Sequence, residues 1–148
     1  MATHTSVNDP CTESMNSLSM PPSSERKLLL ILSAMWITFV GLRLSLHLGG
    51  VRHVYPGGHL VHHFFFGAML LIPAAFLLVF PPRGRGLRIA NFAVLGVACG
   101  LMLDEFVYLL ATHASDADYV SGVSLAGALV LVSSATVLLL GIYFTRRK

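Results

Sequence analysis

The chain has 148 residues, of which 55% are hydrophobic and only 11% charged, with a mean hydropathy of +0.73. That is too apolar for an ordinary soluble domain of this size. A formal charge of +3 would suit a nucleic-acid partner, but the ten Lys and Arg residues gather at the ends of apolar blocks, which is the pattern of membrane topology and excludes a nucleic-acid patch.

Residues 1–26 are rich in Ser, Thr, Pro and Asn and show no apolar period, so a disordered cytoplasmic tail is expected there. They lack the charged start, apolar stretch and small-residue cleavage site of a signal peptide, so the first apolar block is read as an uncleaved anchor. Residues 27–145 then hold four apolar blocks, each long enough for a hydrocarbon layer of about 30 Å, which needs roughly 20 helical residues. The predicted spans cover residues 28–48, 59–80, 87–112 and 119–144, and residues 146–148 form a basic cytoplasmic end. The fold expected is all-α, a four-transmembrane-helix bundle.

Breaks between the blocks carry helix-ending residues. Gly49-Gly50 follows the first, Pro81-Pro82 ends the second, and Pro73 is expected to kink the second from within. Lys and Arg resist translocation, and Arg26, Lys27, Arg83, Arg85, Arg88, Arg146, Arg147 and Lys148 fall on one face, leaving Arg43 and Arg52 towards the other. A multi-pass protein of the plasma membrane with both termini cytoplasmic is the expected topology. Cys11 in the tail and Cys99 in an apolar block suggest neither a metal pair nor a disulfide.

With that topology, polar residues inside the spans collect at one depth. Arg43 and His47 stand at the outer end of the first span, His59, His62 and His63 at the outer end of the second, and Asp104, Glu105 and Tyr108 in the outer half of the third. With His53 and His113 in the outer loops, six of the seven histidines lie on that side. The spacing of His59, His62 and His63 places all three on one helical face, and Gly96, Gly100, Asp104 and Tyr108 form a stripe at steps of four. The Gly96-x-x-x-Gly100 pair lets another helix come close, bringing Asp104 to that contact.

An ionised carboxylate at this depth costs roughly 2.5–3.5 kcal/mol on insertion scales, and a second beside it adds repulsion. Three ways of offsetting this are a metal ion, an ion pair with Arg43, and protonation of one acid. The first gives a divalent transition-metal site, with zinc, iron or manganese as the cofactor, held by His59, His62, His63, Asp104 and Glu105. Asp104 and Glu105 would then be catalytic beside a metal-activated water, with Arg43, His47 and Tyr108 in support, in a hydrolase acting on a lipid-like substrate. The Phe64-Phe65-Phe66 run would line a pocket for that substrate or anchor the helix at the interface. No His-Glu-x-x-His motif is present, which excludes a zincin.

The rivals are a small transporter or proton relay, with homo-oligomerisation to complete a pathway, a haem protein using His47 with His62 or His63, and a structural or partner-binding subunit. In the last, Arg43 neutralises Asp104 and the cluster is polar glue between helices.

His62-His63-x-x-x-Gly67 on the second span and Gly100-Leu-Met-Leu-Asp104-Glu105-Phe106 on the third resemble a group of small prokaryotic integral membrane proteins of uncharacterised function. The resemblance covers the four spans and implies that these residues act as a unit; it implies no reaction. Intramembrane hydrolases of the alkaline ceramidase type also use His and Asp ligands for zinc, but they have seven spans and a different order of ligands.

Overall fold

The computed structural model describes residues 23–49, 62–111 and 115–147, all helical or short connections. The helices are α1 (Ser24–Gly49), α2 (His63–Val79), α3 (Arg85–Ala111), the single-turn α4 (Asp116–Tyr119) and α5 (Gly122–Thr145). α1, α3 and α5, with 26, 27 and 24 residues, are long and apolar enough to cross a membrane. α2 is apolar but has 17 residues, about 26 Å at 1.5 Å per residue. It begins at His63, four residues later than predicted, while residues 50–61, His53 and His59 among them, lie outside the described set. The N-terminal tail with Cys11, and His113, lie outside it too.

Local chemistry fixes the helix ends. Ser23 accepts from the Arg26 N–H at 3.4 Å, and Glu25 puts an acid in the first turn of α1, where the unpaired amides favour negative charge. Ser115 and Asp118 form a reciprocal capping box around α4. Ser121 then accepts from the Ser124 N–H at 3.3 Å to start α5, three residues past the predicted boundary.

α1 and α3 run in one direction, and α2 and α5 run in the other. Glu25 near the start of α1 meets Arg147 just past the end of α5, so these two ends share one side of the bundle. Arg43 near the far end of α1 meets Asp104 near the far end of α3. α3 is the central member, packed against α1, α2 and α5, while α2 packs chiefly on α3.

Glycines set the close seams. A Cβ on Gly96 would strike the Ile31 carbonyl of α1, and one on Gly100 would lie 2.8 Å from the Met35 carbonyl, so the two glycines let α1 backbone lie directly on α3. Gly67 does the same between α2 and α3, 2.8 Å from the Ala98 carbonyl. Beside Pro73, where the backbone ladder of α2 is interrupted, buried Asn91 donates to the Ala74 carbonyl at 3.1 Å.

The apolar core joins α1, α3 and α5 through Met35, Phe39, Ala128 and Val132, with Cys99 half-buried beside them. Trp36 donates to Thr136 at 3.1 Å on its edge. Outside this core the apolar side chains face outward: Ile37, Met69, Leu110 and Val137 are each at least 70% exposed. Such a surface belongs to a chain surrounded by hydrocarbon rather than water.

Candidate functional site

Asp104 and Glu105 are both fully buried in α3, yet they turn to different neighbours. Successive helix residues are about 100° apart around the axis, so the acidic dipeptide reaches two seams at once. Asp104 faces α1 and α5, and Glu105 faces α2.

On the first seam Arg43 comes from α1. Its Nε donates to Asp104 Oδ1 at 2.5 Å, its Nη1 to the Tyr119 carbonyl at 3.1 Å, and its Nη2 to the Asp104 carbonyl and Ser124 Oγ at 3.1 and 3.2 Å. Tyr119 Oη donates to the second carboxylate oxygen, Oδ2, at 2.8 Å. Both oxygens of Asp104 are therefore occupied by charge-assisted bonds, and one guanidinium ties together α1, α3, α4 and α5. Tyr119 belongs to the short α4, outside the long helices; burial first, and then the Asp104 charge, push its phenol well above the ordinary tyrosine range. It therefore remains a donor to Asp104.

On the second seam Glu105 completes the start of α2. His62 is the N-cap residue, in extended backbone, and its side chain makes no capping bond. The Glu105 carboxylate from α3 supplies the missing acceptor, taking the Phe64 N–H on Oε2 at 2.5 Å. Its other oxygen, Oε1, lies 3.5 Å from Nδ1 of both His62 and His63. The two imidazoles are partly open, at 20% and 33% exposure, whereas Glu105 is 2% exposed. A buried carboxylate is thus joined to the surface through two titratable rings.

An aromatic path links the seams. The His62 ring lies 6.0 Å from that of Tyr108, and Tyr108 lies 4.6 Å from Tyr119, centroid to centroid. Tyr108 is buried with Leu46 and Tyr119, so the supporting position read from the sequence lies between the two carboxylate environments.

The predicted cluster is thus divided. Arg43 and Asp104 converge, His62, His63 and Glu105 converge on the adjoining face, and Tyr108 stands between the two groups. Of His59, His62 and His63, predicted on one helical face, His62 caps α2 and His63 is its first residue, while His59 lies outside the described residues. His47 is exposed and lines, with Arg43, a separate cavity of about 310 Å3 between α1 and α5. Among the described residues no three His, Cys, Asp or Glu side chains are grouped so as to hold a metal ion. Phe65 and Phe66 are exposed, while Phe64 turns towards Phe106, 6.4 Å between ring centroids.

Tyr119 and the Ser124 acceptors are site members that sequence reasoning did not assign. Ser124 lies within the predicted fourth span, and Tyr119 is that span's first residue. The Ser115-x-x-Asp118 capping signal marks the extra turn that carries Tyr119 back onto Asp104. Scans against protein-family models, curated proteins and solved structures find no match to this chain.

Proposed function

We propose that the chain is a four-span integral membrane protein, both termini cytoplasmic, that handles a cation in its outer half at Glu105, His62 and His63. Charge balance carries the reading. Arg43 neutralises Asp104, which leaves the buried Glu105 as the second acid, facing two imidazoles rather than a permanent cation. One positive equivalent is called for at that point, because a lone carboxylate away from water is expensive. α2, although short, has the minimum length of a span and would supply the fourth crossing.

The proton is the first cation to consider. It moves between Glu105 Oε1 and His62 or His63 Nδ1 with small side-chain shifts, and the half-open rings exchange it with the outer surface. A proton relay or proton-linked transporter is the function that follows, with a second copy of the chain completing a path across the membrane. The supporting observation is the separation of 3.5 Å from one carboxylate oxygen to both imidazoles.

A second reading keeps a metal at this point, although His62, His63 and Glu105 would have to draw together from where they stand to form a ligand group. Two ligands on a tetrahedral zinc are about 3.4 Å apart when each bond is about 2.1 Å. Zinc, iron or manganese on His62, His63 and Glu105, with a further ligand, would support hydrolysis of a lipid-like substrate. Asp104 would then be a positioning residue, since Arg43 and Tyr119 hold its oxygens.

Proton flux in liposomes containing a pH-sensitive dye, together with elemental analysis of the purified protein, tests both. Flux above that of empty liposomes, lost in Glu105→Gln and in the double variant His62→Gln, His63→Gln, supports the relay. Stoichiometric metal that disappears in the double variant supports the metal centre instead. Neither flux nor metal would overturn the cation reading.

A further inference from the structure

The end of the bundle opposite the acidic dipeptide carries a second built feature. A cavity of about 380 Å3 opens between α1 and α2 over the first turn of α3. Lys27 of α1 and Arg88 of α3 line it, both half-buried, and Leu77, Leu78 and Phe92 form its apolar wall. Lys27 Nζ stands 5.6 Å from the Phe92 ring centroid, which holds the ammonium at the edge of that wall.

Charge is one-sided here. Arg26, Lys27, Arg83, Arg85, Arg88, Arg146 and Arg147 occupy this end of the described helices, and Glu25 is the one acid among the described residues there. Glu25 is held on the far side of α1, by Arg147 at 2.5 Å and Tyr143 Oη at 3.0 Å. The first turn of α3 contains no acid, so its amide groups add positive potential next to Arg88.

Cations at the mouth and an apolar wall behind them fit a ligand with an anionic head and a hydrocarbon tail. The groove lies where the apolar helices meet their basic ends, the depth at which a phospholipid changes from headgroup to chain. We propose that this groove binds one anionic phospholipid of the adjoining leaflet, its phosphate between Lys27 and Arg88 and its first chain segment along Leu77, Leu78 and Phe92. The site is independent of the cation site, which lies about 26 Å further along α3, from Arg88 to Glu105, at 1.5 Å per residue.

The test uses the full chain, delipidated in mild detergent, and follows its thermal midpoint. Phosphatidylglycerol at saturating concentration is expected to raise the midpoint by about 5 °C or more, and phosphatidylcholine with the same chains by much less. Lys27→Gln removes most of that difference, Lys27→Arg retains it, and Arg26→Gln, outside the groove, leaves it unchanged. Glycerol phosphate without chains produces no shift. Equal shifts for the two lipids, a full shift in Lys27→Gln, or a full shift from glycerol phosphate alone would each overturn the proposal.

Discussion

Arg43 contacts Asp104 twice, through Nε to the side-chain carboxylate at 2.5 Å and through Nη2 to the same residue's backbone carbonyl at 3.1 Å. The pair spans α1 and α3 with Asp104 fully buried and Arg43 14% exposed. Its two charges are more valuable together than either is alone, because removing one leaves the other without a counter-charge in an apolar layer.

Arg43→Met and Asp104→Leu should therefore each destabilise the fold by about 3–5 kcal/mol. The double variant should lose clearly less than the sum. Unfolding of all four proteins in mixed detergent gives the coupling energy directly, and strict additivity would show that the pair is not a unit.

Tyr119 makes a pH prediction. Its folded-state value is raised above the ordinary phenol value of 10.0, so the native chain keeps a proton that the unfolded chain releases. Its contribution is fully present below pH 10 and declines as the pH rises above that. Between pH 9 and about 11 the thermal midpoint should fall more steeply for the parent than for Tyr119→Phe. Identical slopes would mean that the phenol does not stay protonated on Asp104.

Glu105 has two roles that substitution separates. Glu105→Gln keeps a carbonyl oxygen for the Phe64 N–H but removes the charge, so it should fold well and lose its cation response. Glu105→Ala also removes the acceptor, leaving a half-buried amide without it, at a cost of about 1 kcal/mol. Hydrogen exchange in the first turn of α2 should speed up in the alanine variant and much less in the glutamine variant.

The glycines divide by what surrounds them. Gly96→Ala sets a methyl against the Ile31 carbonyl, a backbone atom that moves only with α1, and should cost about 1–3 kcal/mol. Gly41→Ala meets nothing within 4 Å and should leave the thermal midpoint unchanged or slightly higher. Equal effects at the two positions would argue against close α1–α3 packing.

Much of this arrangement was legible in the chain. The apolar blocks located α1, α3 and α5 to within a few residues, since little else accounts for so many consecutive apolar residues. The Gly96, Gly100, Asp104 stripe announced a tight helix contact, whose partner the structure gives as α1, and the option that Arg43 neutralises Asp104 is what the geometry shows. The start of α2 was not legible, because the residue that caps it, Glu105, is 41 positions away from Phe64 in sequence. Helical spacing therefore ran the three histidines together, although His62 lies before the first turn. The extra turn at Asp116–Tyr119 carries a readable cap in Ser115-x-x-Asp118, but its purpose is tertiary and so not legible: it returns Tyr119 to Asp104 and presents a backbone carbonyl to Arg43.

The acidic dipeptide sits on α3, the helix packed against α1, α2 and α5 alike. A roll of α3 by a fraction of a turn would withdraw one carboxylate from its partners while driving the other further into its own. Because both acids ride on the one helix, no movement of α3 could rearrange the histidine seam without also disturbing the arginine seam.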